Sequence, residues 1–179
     1  MIFTETRLAG AFIVDLEPIE DDRGCFARTF CSETFLQHGL VSQFVQCNVS
    51  CNHRRGTLRG MHFQADPHAE VKLVRCTMGC LHDVIVDLRD SSPTRGQWEA
   101  VELSAQNRRA LYIPAGFAHG FQTLADDTEV LYQMSVPFDA DSARGFSHAD
   151  PTLAIAWPLP ITAISAKDLA LPNLQHLSR

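Results

Sequence analysis

Apolar residues occur along this chain in short runs, and turns containing Gly, Pro, Asn or Asp separate them. This spacing is typical of an antiparallel sandwich or barrel. A parallel sheet would need helical crossovers, for which the pattern offers too few helices. We therefore predict an all-β barrel of the jelly-roll type. The strands are predicted at 12–16, 25–30, 71–77, 81–88, 98–103, 110–113, 121–124 and 129–135.

Two short segments have the sequence features of helices. In 32–40, Ser32 can accept a backbone N–H at the start, and Gly39 can end the helix in the left-handed conformation. A second helix is predicted near 165–169, where Ser165 can act as the cap. Neither segment is long enough to change the all-β interpretation.

The segments 71–77 and 81–88 are expected to pair as a β-hairpin around Gly79. Side chains alternate between the two faces of a strand. Asp83 and Asp87 should therefore point away from the face that the neighbouring valines occupy.

The composition is that of one folded domain. The chain has 179 residues, of which 45% are hydrophobic and 20% are charged, so disorder is excluded as the main state. We divide the expected domain into N-terminal strands and a helix at 1–45, a barrel core at 46–140 and an irregular C-terminal segment at 141–179, which carries Asp168. The net charge of −6 argues against a general nucleic-acid partner.

The sequence shows no export or membrane signal. No apolar run approaches the ~20 residues of a membrane helix, and the N-terminus lacks a signal-peptide pattern. We therefore expect a cytoplasmic protein with no membrane partner, whose six cysteines are reduced. Cys47 and Cys51, like Cys76 and Cys80, have C-x3-C spacing, which is not that of a zinc knuckle. We predict that these four are small buried apolar residues.

The densest group of polar residues lies between positions 54 and 75. It contains five basic residues, namely Arg54, Arg55, Arg59, Lys72 and Arg75. Such a local positive patch in an acidic protein suits an anionic ligand such as a phosphate ester. A solvated surface face would have the same composition, so the patch alone leaves both interpretations open.

His62 and Gln64 are two residues apart on an extended segment and should share a face. In many jelly-roll enzymes this position reads H-x-H and binds a metal together with a later histidine. Here an amide, which is a poor ligand for a transition metal, replaces the second histidine. The remaining candidates are His62, Glu70 and His119, and we do not expect them to form a metal site.

Nine motifs follow one another between residues 22 and 168. They are DRG-x-F at 22–26, FVQ-x-N-x-S at 44–50, LRGMHFQ at 58–64, KLVR at 72–75, DVIVDLR at 83–89, SPT at 92–94, IP-x-GFAHGF at 113–121, LY at 131–132 and S-x-KD at 165–168. In this order they resemble the nucleotide-sugar 3,5-epimerases typified by dTDP-4-dehydrorhamnose 3,5-epimerase. The resemblance covers nearly the whole chain.

The resemblance implies a homodimer of cupin-type jelly rolls, each with an N-terminal arm. It further implies an enzyme that needs no metal or organic cofactor. The implied substrate is a nucleoside-diphosphate 4-keto-6-deoxy sugar, of which C3, C5 or both centres are inverted. In class terms, the enzyme would be an isomerase.

The resemblance also implies an acid–base mechanism beside the ketone. His62 is the implied base, and a neutral imidazole suits this task because its unperturbed pKa of ~6.5 lies near working pH. Asp168 would accept the other ring proton, while Lys72 would place positive charge near the C4 oxygen. Tyr132 would deliver a proton to the opposite face of the sugar ring, which inverts the centre.

Further residues fall on substrate-binding positions of the family. Arg23 and Arg59 would hold the diphosphate, and Phe26 would stack on the nucleotide base. The other implied ligand contacts are Gln46, Asn48, His119 and Lys167.

Three positions differ from the usual family pattern. Arg28, Phe138 and Ala143 stand where the family usually has glutamate, tyrosine and glutamate. Arginine cannot accept the N3–H of thymine but can donate to the N3 and O2 atoms of cytosine. A CDP-linked keto sugar is therefore an alternative substrate, unless Arg28 points to solvent or binds phosphate. Loss of the hydroxyl at Phe138 would narrow the reaction to C3 or C5 if that group serves only one centre.

Two other classes of function stay open at this stage. One is a metal-dependent cupin oxygenase or isomerase, in which His119 would be a ligand. The other is a non-catalytic module that binds sugar nucleotides. The presence of Tyr132, Lys72 and Asp168 weighs against the second class, because binding alone requires no acid–base set.

Overall fold

The computed structural model describes residues 1–177 and is built mainly of β-strands. The strands are β1 (Ile2–Glu5), β2 (Phe12–Asp15), β3 (Ile19–Asp21), β4 (Gly24–Phe26), β5 (Gln46–Asn52), β6 (Leu58–Gln64), β7 (Lys72–Met78), β8 (Cys80–Asp87), β9 (Trp98–Ser104), β10 (Ala110–Ile113), β11 (Phe117–Thr123), β12 (Thr128–Met134) and β13 (Ala143–Gly145). The helices are α1 (Ser32–Gln37), α2 (Ala166–Leu169) and a 3-10 turn at Leu174–His176. The prediction of an all-β protein with one or two short helices is confirmed.

The strands form two main antiparallel sheets and a small ribbon. The six-stranded sheet has the order β1-β2-β10-β7-β12-β5, and the five-stranded sheet has the order β13-β6-β11-β8-β9. Val74 and Val130 of the first sheet belong to the same buried cluster as Ile85 and Phe121 of the second. This shared core holds the sheets together. The ribbon of β3 and β4 is a separate two-stranded unit, and its residues are exposed.

The hairpin predicted for 71–77 and 81–88 is wrong. The strand β7 pairs with β10 and β12, whereas β8 pairs with β9 and β11 in the other sheet. Gly79 turns this corner with a φ of +77°, and a Cβ there would lie 2.5 Å from the hydroxyl of Thr128. Both strands are buried on both faces, so the local pattern could not show that the chain changes sheets between them.

The first helix differs from its prediction at both ends. It begins at Ser32 with Cys31 as the N-cap residue, and no side chain caps it. It ends at Gln37, because Gly39 adopts the left-handed conformation and its N–H donates to the carbonyl of Leu36. Ser32 is therefore a helical residue rather than the cap, while the role of Gly39 as the stop is confirmed.

The alternation predicted for β8 is confirmed, although both of its faces are buried. Ile85 packs in the core between the sheets, whereas Val84 and Val86 pack in a second cluster on the outer side of the five-stranded sheet. Asp83 and Asp87 share the face of Ile85, and both are 0% exposed. Two fully buried carboxylates therefore lie on the inward side of this strand.

The prediction that the paired cysteines are buried is only partly correct. Cys76 is buried and Cys80 is half-buried, but Cys47 and Cys51 are exposed on β5. The strand β5 is an edge of the six-stranded sheet, so one side of it has no neighbouring strand to cover it.

The C-terminal segment returns across the five-stranded sheet. Thr57 forms a parallel bridge with Ala163, and the N–H of Leu58 donates to the Ala163 carbonyl at 2.8 Å. This attachment places α2 beside β6. Within residues 1–177, no helix is long and apolar enough to span a membrane.

Candidate active site

A cavity of about 520 Å³ opens between the two sheets. His62 and His119 enter it from β6 and β11 of the five-stranded sheet, and Lys72 and Tyr132 enter from β7 and β12 of the six-stranded sheet. Asp168 reaches it from α2. The structure therefore brings together the residues predicted from distant parts of the sequence as the proton-transfer set.

His62 is held by a buried carboxylate. Its Nε2 lies 2.7 Å from Oδ1 of Asp168, whose side chain is only 6% exposed. Because a carboxylate only accepts hydrogen bonds, Nε2–H of His62 donates to Asp168. In the neutral ring, Nδ1 is consequently the nitrogen that carries the free lone pair. The neutral ring of His62 therefore has a fixed tautomer.

The position of Asp168 is set by local backbone contacts. Its N–H donates to the hydroxyl of Ser165 at 3.0 Å, so Ser165 caps α2 as predicted. The N–H of Gly60 on β6 lies 3.4 Å from Oδ2 of Asp168. These contacts join the helix to the strand that carries His62.

Burial lowers the pKa of His62 below its usual value of 6.5, while the hydrogen bond and the negative charge of Asp168 oppose this shift. The positive charge of Lys72 and the neighbouring His119 lower the pKa further. A histidine whose pKa is lowered is uncharged at neutral pH. His62 can therefore accept a proton.

Tyr132 lies on the opposite sheet and is half-buried. Burial and the negative charge of Asp83 raise the pKa of its phenol, and Arg59 opposes this shift. The phenol keeps its proton at neutral pH. It is therefore suited to donate a proton rather than to accept one.

Lys72 forms an ion pair within the cavity. Its Nζ lies 2.9 Å from Oε1 of Glu70, and the two side chains are 11% and 9% exposed. Lys72 is flanked in the sheet by Ile113 of β10 and Met134 of β12. The sequence offered Glu70 only as a candidate metal ligand, whereas the structure gives it the lysine as its partner.

His119 has a carboxylate partner that the sequence interpretation missed. Its Nε2 lies 2.6 Å from Oδ1 of Asp83, and both residues are buried. Asp83 shares the inward face of β8 with apolar Ile85. A charged residue on that face of a strand buried on both sides was the signal that could have indicated it.

Several predicted binding residues also line the cavity. Arg59 lies at its edge, where its Nε donates to Oδ1 of Asn52 at 2.7 Å. Gln46 does not line the cavity, but its Oε1 accepts the backbone N–H of Phe138 at 3.0 Å. The cavity wall contains the other positions Asn48, Phe138, Ala143 and Lys167.

Arg23, Phe26 and Arg28 do not line this cavity. Arg23 lies in the turn between β3 and β4, and Phe26 is the last residue of β4 and is 75% exposed. The guanidinium of Arg23 pairs only with neighbouring Asp21 among the described residues. Arg28 lies beside Phe26 in a shallow surface depression. The chain itself therefore does not bring these residues to the site.

The three candidate metal ligands have separate partners. His62 pairs with Asp168, Glu70 with Lys72 and His119 with Asp83. Residues 1–177 contain no group of three or more His, Cys, Asp or Glu side chains arranged to hold a metal ion. Gln64, which replaces the second histidine, is buried and donates to the carbonyl of His68.

This fold defines a cupin-like β-protein, and its cavity gathers two histidines, a lysine, a tyrosine and a buried carboxylate. A family model described as dTDP-4-dehydrorhamnose 3,5-epimerase matches residues 5–176. The chain belongs to the dTDP-4-dehydrorhamnose 3,5-epimerase family. The predictions of the family, of the cupin-like fold and of an isomerase of the epimerase type are confirmed.

Individual relatives agree with this assignment over nearly the whole chain. The dTDP-4-dehydrorhamnose 3,5-epimerase of Sinorhizobium fredii is 42% identical over 178 residues, which cover 99% of this chain and 91% of the relative. The crystal structure of dTDP-4-dehydrorhamnose 3,5-epimerase from Bacillus anthracis, with TDP and PPi bound, is 42% identical with a TM-score of 0.92. The structural match covers 97% of this chain and 99% of the Bacillus anthracis chain.

A third relative was crystallised with a sugar nucleotide. It is the dTDP-6-deoxy-D-glucose-3,5-epimerase from Legionella pneumophila in complex with dTDP-4-keto-L-rhamnose. It is 35% identical with a TM-score of 0.92, covering 99% of this chain and 94% of that chain.

Proposed function

We propose that this protein epimerises a dTDP-linked 4-keto-6-deoxy sugar at C3 and C5. The observation that carries the proposal is the placement of His62 and Tyr132 on opposite sheets around one cavity. A sugar ring between the sheets would have the base on one face and the phenol on the other. Removal and return of a proton on opposite faces inverts a carbon centre.

The first step is removal of a proton from the carbon next to the C4 ketone. Nδ1 of neutral His62 takes the proton, and the electron pair of the C–H bond forms a C=C bond as the carbonyl becomes an enolate. The lowered pKa of His62 supports this role because the ring is uncharged at neutral pH. The carboxylate of Asp168, at 2.7 Å, stabilises the imidazolium that results.

Lys72 is proposed to stabilise the enolate oxygen. Its ammonium is 11% exposed and lines the same cavity, so little water screens its charge. A preorganised donor of this kind contributes roughly 3 kcal/mol to lowering a barrier.

The second step is return of a proton by Tyr132. The enolate collapses to the ketone as its carbon takes the phenolic proton. Solvent then reprotonates the phenolate, and the imidazolium of His62 releases to solvent the proton that it removed. Burial keeps the phenol protonated until the enolate forms, which supports its assignment as the acid. Asn48, Gln46, Arg59, His119, Phe138 and Lys167 are proposed to bind the substrate around this centre.

We also propose a homodimer, in which a second copy supplies the nucleotide-binding residues that this cavity lacks. Arg23 and Phe26 are exposed and line no part of the cavity. They can contact a bound nucleotide only if another protomer presents them. Exposed Val45 and Val49 at the β5 edge offer apolar surface for such an association.

A cytoplasmic location remains a prediction. The six free cysteines of the described chain, of which Cys25, Cys47 and Cys51 are exposed, support it because reducing compartments keep thiols unpaired.

The test is incubation in D2O with dTDP- and CDP-linked 4-keto-6-deoxy sugars. Deuterium should enter C3 and C5 of the dTDP-linked sugar, and His62→Gln should abolish most of this exchange. Exchange at one centre alone would indicate a mono-epimerase, as the loss of a hydroxyl at Phe138 suggests. Stoichiometric iron or zinc, lost together with activity in His119→Ala, would instead support the metal-dependent alternative.

A further inference from the structure

A second imidazole–carboxylate pair lies beside the first, with His119 lining the same cavity and Asp83 buried behind it. Nε2 of His119 is 2.6 Å from Oδ1 of Asp83. His119 and His62 are Cα partners across β11 and β6, so the two pairs lie side by side in one sheet. The mechanism proposed above uses Asp168 but gives no role to Asp83.

Because Asp83 is buried, His119 is the main polar partner that its carboxylate has. The residue is 0% exposed, and its Oδ2 has no hydrogen-bond partner in the described part of the chain. Burying a carboxylate is unfavourable unless it is paired, so the short contact with His119 is the main compensation. Because the carboxylate only accepts, Nε2 of His119 carries a hydrogen whether the ring is neutral or charged. The hydrogen bond to Asp83 therefore fixes the ring plane and the tautomer of His119.

His119 in turn contacts the proposed acid. The ring centroids of His119 and Tyr132 are 5.8 Å apart, with an interplanar angle of 73°. This edge-to-face contact connects the five-stranded sheet to the six-stranded sheet across the cavity. A rotation of the His119 ring would change the surface against which the Tyr132 ring rests.

We propose that Asp83 is a positioning residue for Tyr132 and that it acts through His119. This assignment rests on the proposed function, because it requires Tyr132 to be the proton donor. Asp83 fixes the His119 ring, and the fixed ring holds the phenol in the direction from which it protonates the enolate. Asp83 therefore supports the return of a proton by Tyr132, whereas Asp168 supports the removal of a proton by His62.

The two carboxylates should give different results when each is changed to its amide. In D2O, Asp83→Asn should leave His62 able to form the enolate. The imidazolium of His62 exchanges the proton it has taken for a deuteron of the solvent and returns that deuteron to the enolate carbon on the original face, so deuterium still enters the substrate without inversion. We expect the inverted product to fall about 10–100-fold, the range seen when a residue that orients a functional group is lost. Exchange should fall far less, so the ratio of exchange to inversion should rise.

Asp168→Asn should lower exchange and inversion together, because both require His62 to remove the proton. Tyr132→Phe should raise the ratio in the same direction as Asp83→Asn. An equal loss of exchange and inversion in Asp83→Asn would overturn the assignment.

Asp87→Asn is the matched control for the loss of a buried carboxylate. Asp87 lies on the same face of the same strand and is also 0% exposed, but it pairs with Arg89 rather than with a histidine that lines the cavity. Its replacement should lower the melting temperature and leave the ratio of exchange to inversion unchanged. A raised ratio in this variant would show that any disturbance of β8 has the effect, and would contradict a specific role for Asp83.

A measurement on the unchanged protein keeps the proposal testable if Asp83→Asn does not fold. Nitrogen-15 NMR of histidine-labelled protein reports which ring nitrogen carries hydrogen, and His119→Gln identifies the resonances. We expect hydrogen on Nε2 of His119, and a bare Nε2 would overturn the assignment. Absence of any exchange by the unchanged protein on the whole sugar panel would instead overturn the proposed function, and the role of Asp83 with it.

Discussion

The hydroxyl of Ser165 accepts a hydrogen bond from the backbone N–H of Asp168 at 3.0 Å. This contact starts the four-residue helix α2, from which Asp168 reaches His62. A helix this short has little stability of its own. The orientation of His62, the proposed base, therefore depends on a serine that lies outside both sheets, at the start of α2.

Replacement of Ser165 by alanine should weaken both the helix and the base. Loss of an N-cap side chain destabilises a protein by about 1 kcal/mol, which for a chain of this size lowers the melting temperature by roughly 2–4 °C. We expect kcat to fall several-fold because Asp168 is less well fixed. Ser165→Thr keeps the hydroxyl and should restore both the melting temperature and kcat. Equal kcat values for the alanine and threonine variants would contradict this role.

The pH dependence of the reaction should follow the charge of His62. Because the pKa of His62 is lowered in the folded protein, the ring stays neutral, and activity should persist, below the ordinary histidine value. Activity should then fall on the acid side as the ring gains a proton. The measurement is kcat/KM as a function of pH.

The Asp168→Asn variant tests in which direction Asp168 shifts the pKa of His62. Asp168 raises the pKa of His62, so its removal should move the acid limb to still lower pH while reducing the maximum of kcat/KM. The maximum should fall about 10–100-fold, since the imidazolium loses the carboxylate that stabilises it. A limb that moved to higher pH would contradict the role of Asp168 as the group that raises the pKa of His62.

A mixture of two inactive variants should regain activity if the proposed dimer forms. One variant carries His62→Gln, and the other carries Arg23→Ala together with Phe26→Ala. In a mixed dimer, one of the two sites would receive its cavity from the second variant and its ribbon from the first. We therefore expect up to about half of normal kcat per mixed dimer, because only one of its two sites is complete, and up to about a quarter for a one-to-one mixture whose subunits pair at random.

The control for this mixing experiment combines two variants that both lack His62. It should stay inactive at every ratio, because no cavity then contains a base. If the Arg23 and Phe26 variant keeps normal activity by itself, the ribbon is not part of the site.

The nucleotide preference can be measured without any turnover. The proposed function requires a dTDP-linked substrate, whereas Arg28 is the residue that would favour cytosine. Calorimetry should therefore show tighter binding of dTDP than of CDP. Arg28→Glu should weaken CDP binding more than dTDP binding if Arg28 contacts the base. A clear preference for CDP in the unchanged protein would move the substrate to the CDP series.

Local sequence patterns predicted the secondary structure where only neighbours along the chain decide it. The strand β10 has the predicted bounds, and α2 begins at the predicted cap Ser165. The stop of α1 at Gly39 also followed from its freedom to adopt a positive φ. In contrast, the hairpin around Gly79 was wrong, because pairing is decided by strands far away in sequence.

The sequence by itself determined the alternation of side chains between the two faces of β8, the cap of α2, the stop of α1 and the residue types proposed for proton transfer. These depend on side-chain size, polarity and backbone freedom, which are properties of each residue. Only the tertiary structure decided that His62 and Tyr132 face one cavity from different sheets and that Asp83 pairs with His119. Such contacts join residues that are 36 or more positions apart, and their formation depends on which sheet each strand enters. The hydrophobic core formed by both sheets makes that choice, and no local pattern contains it.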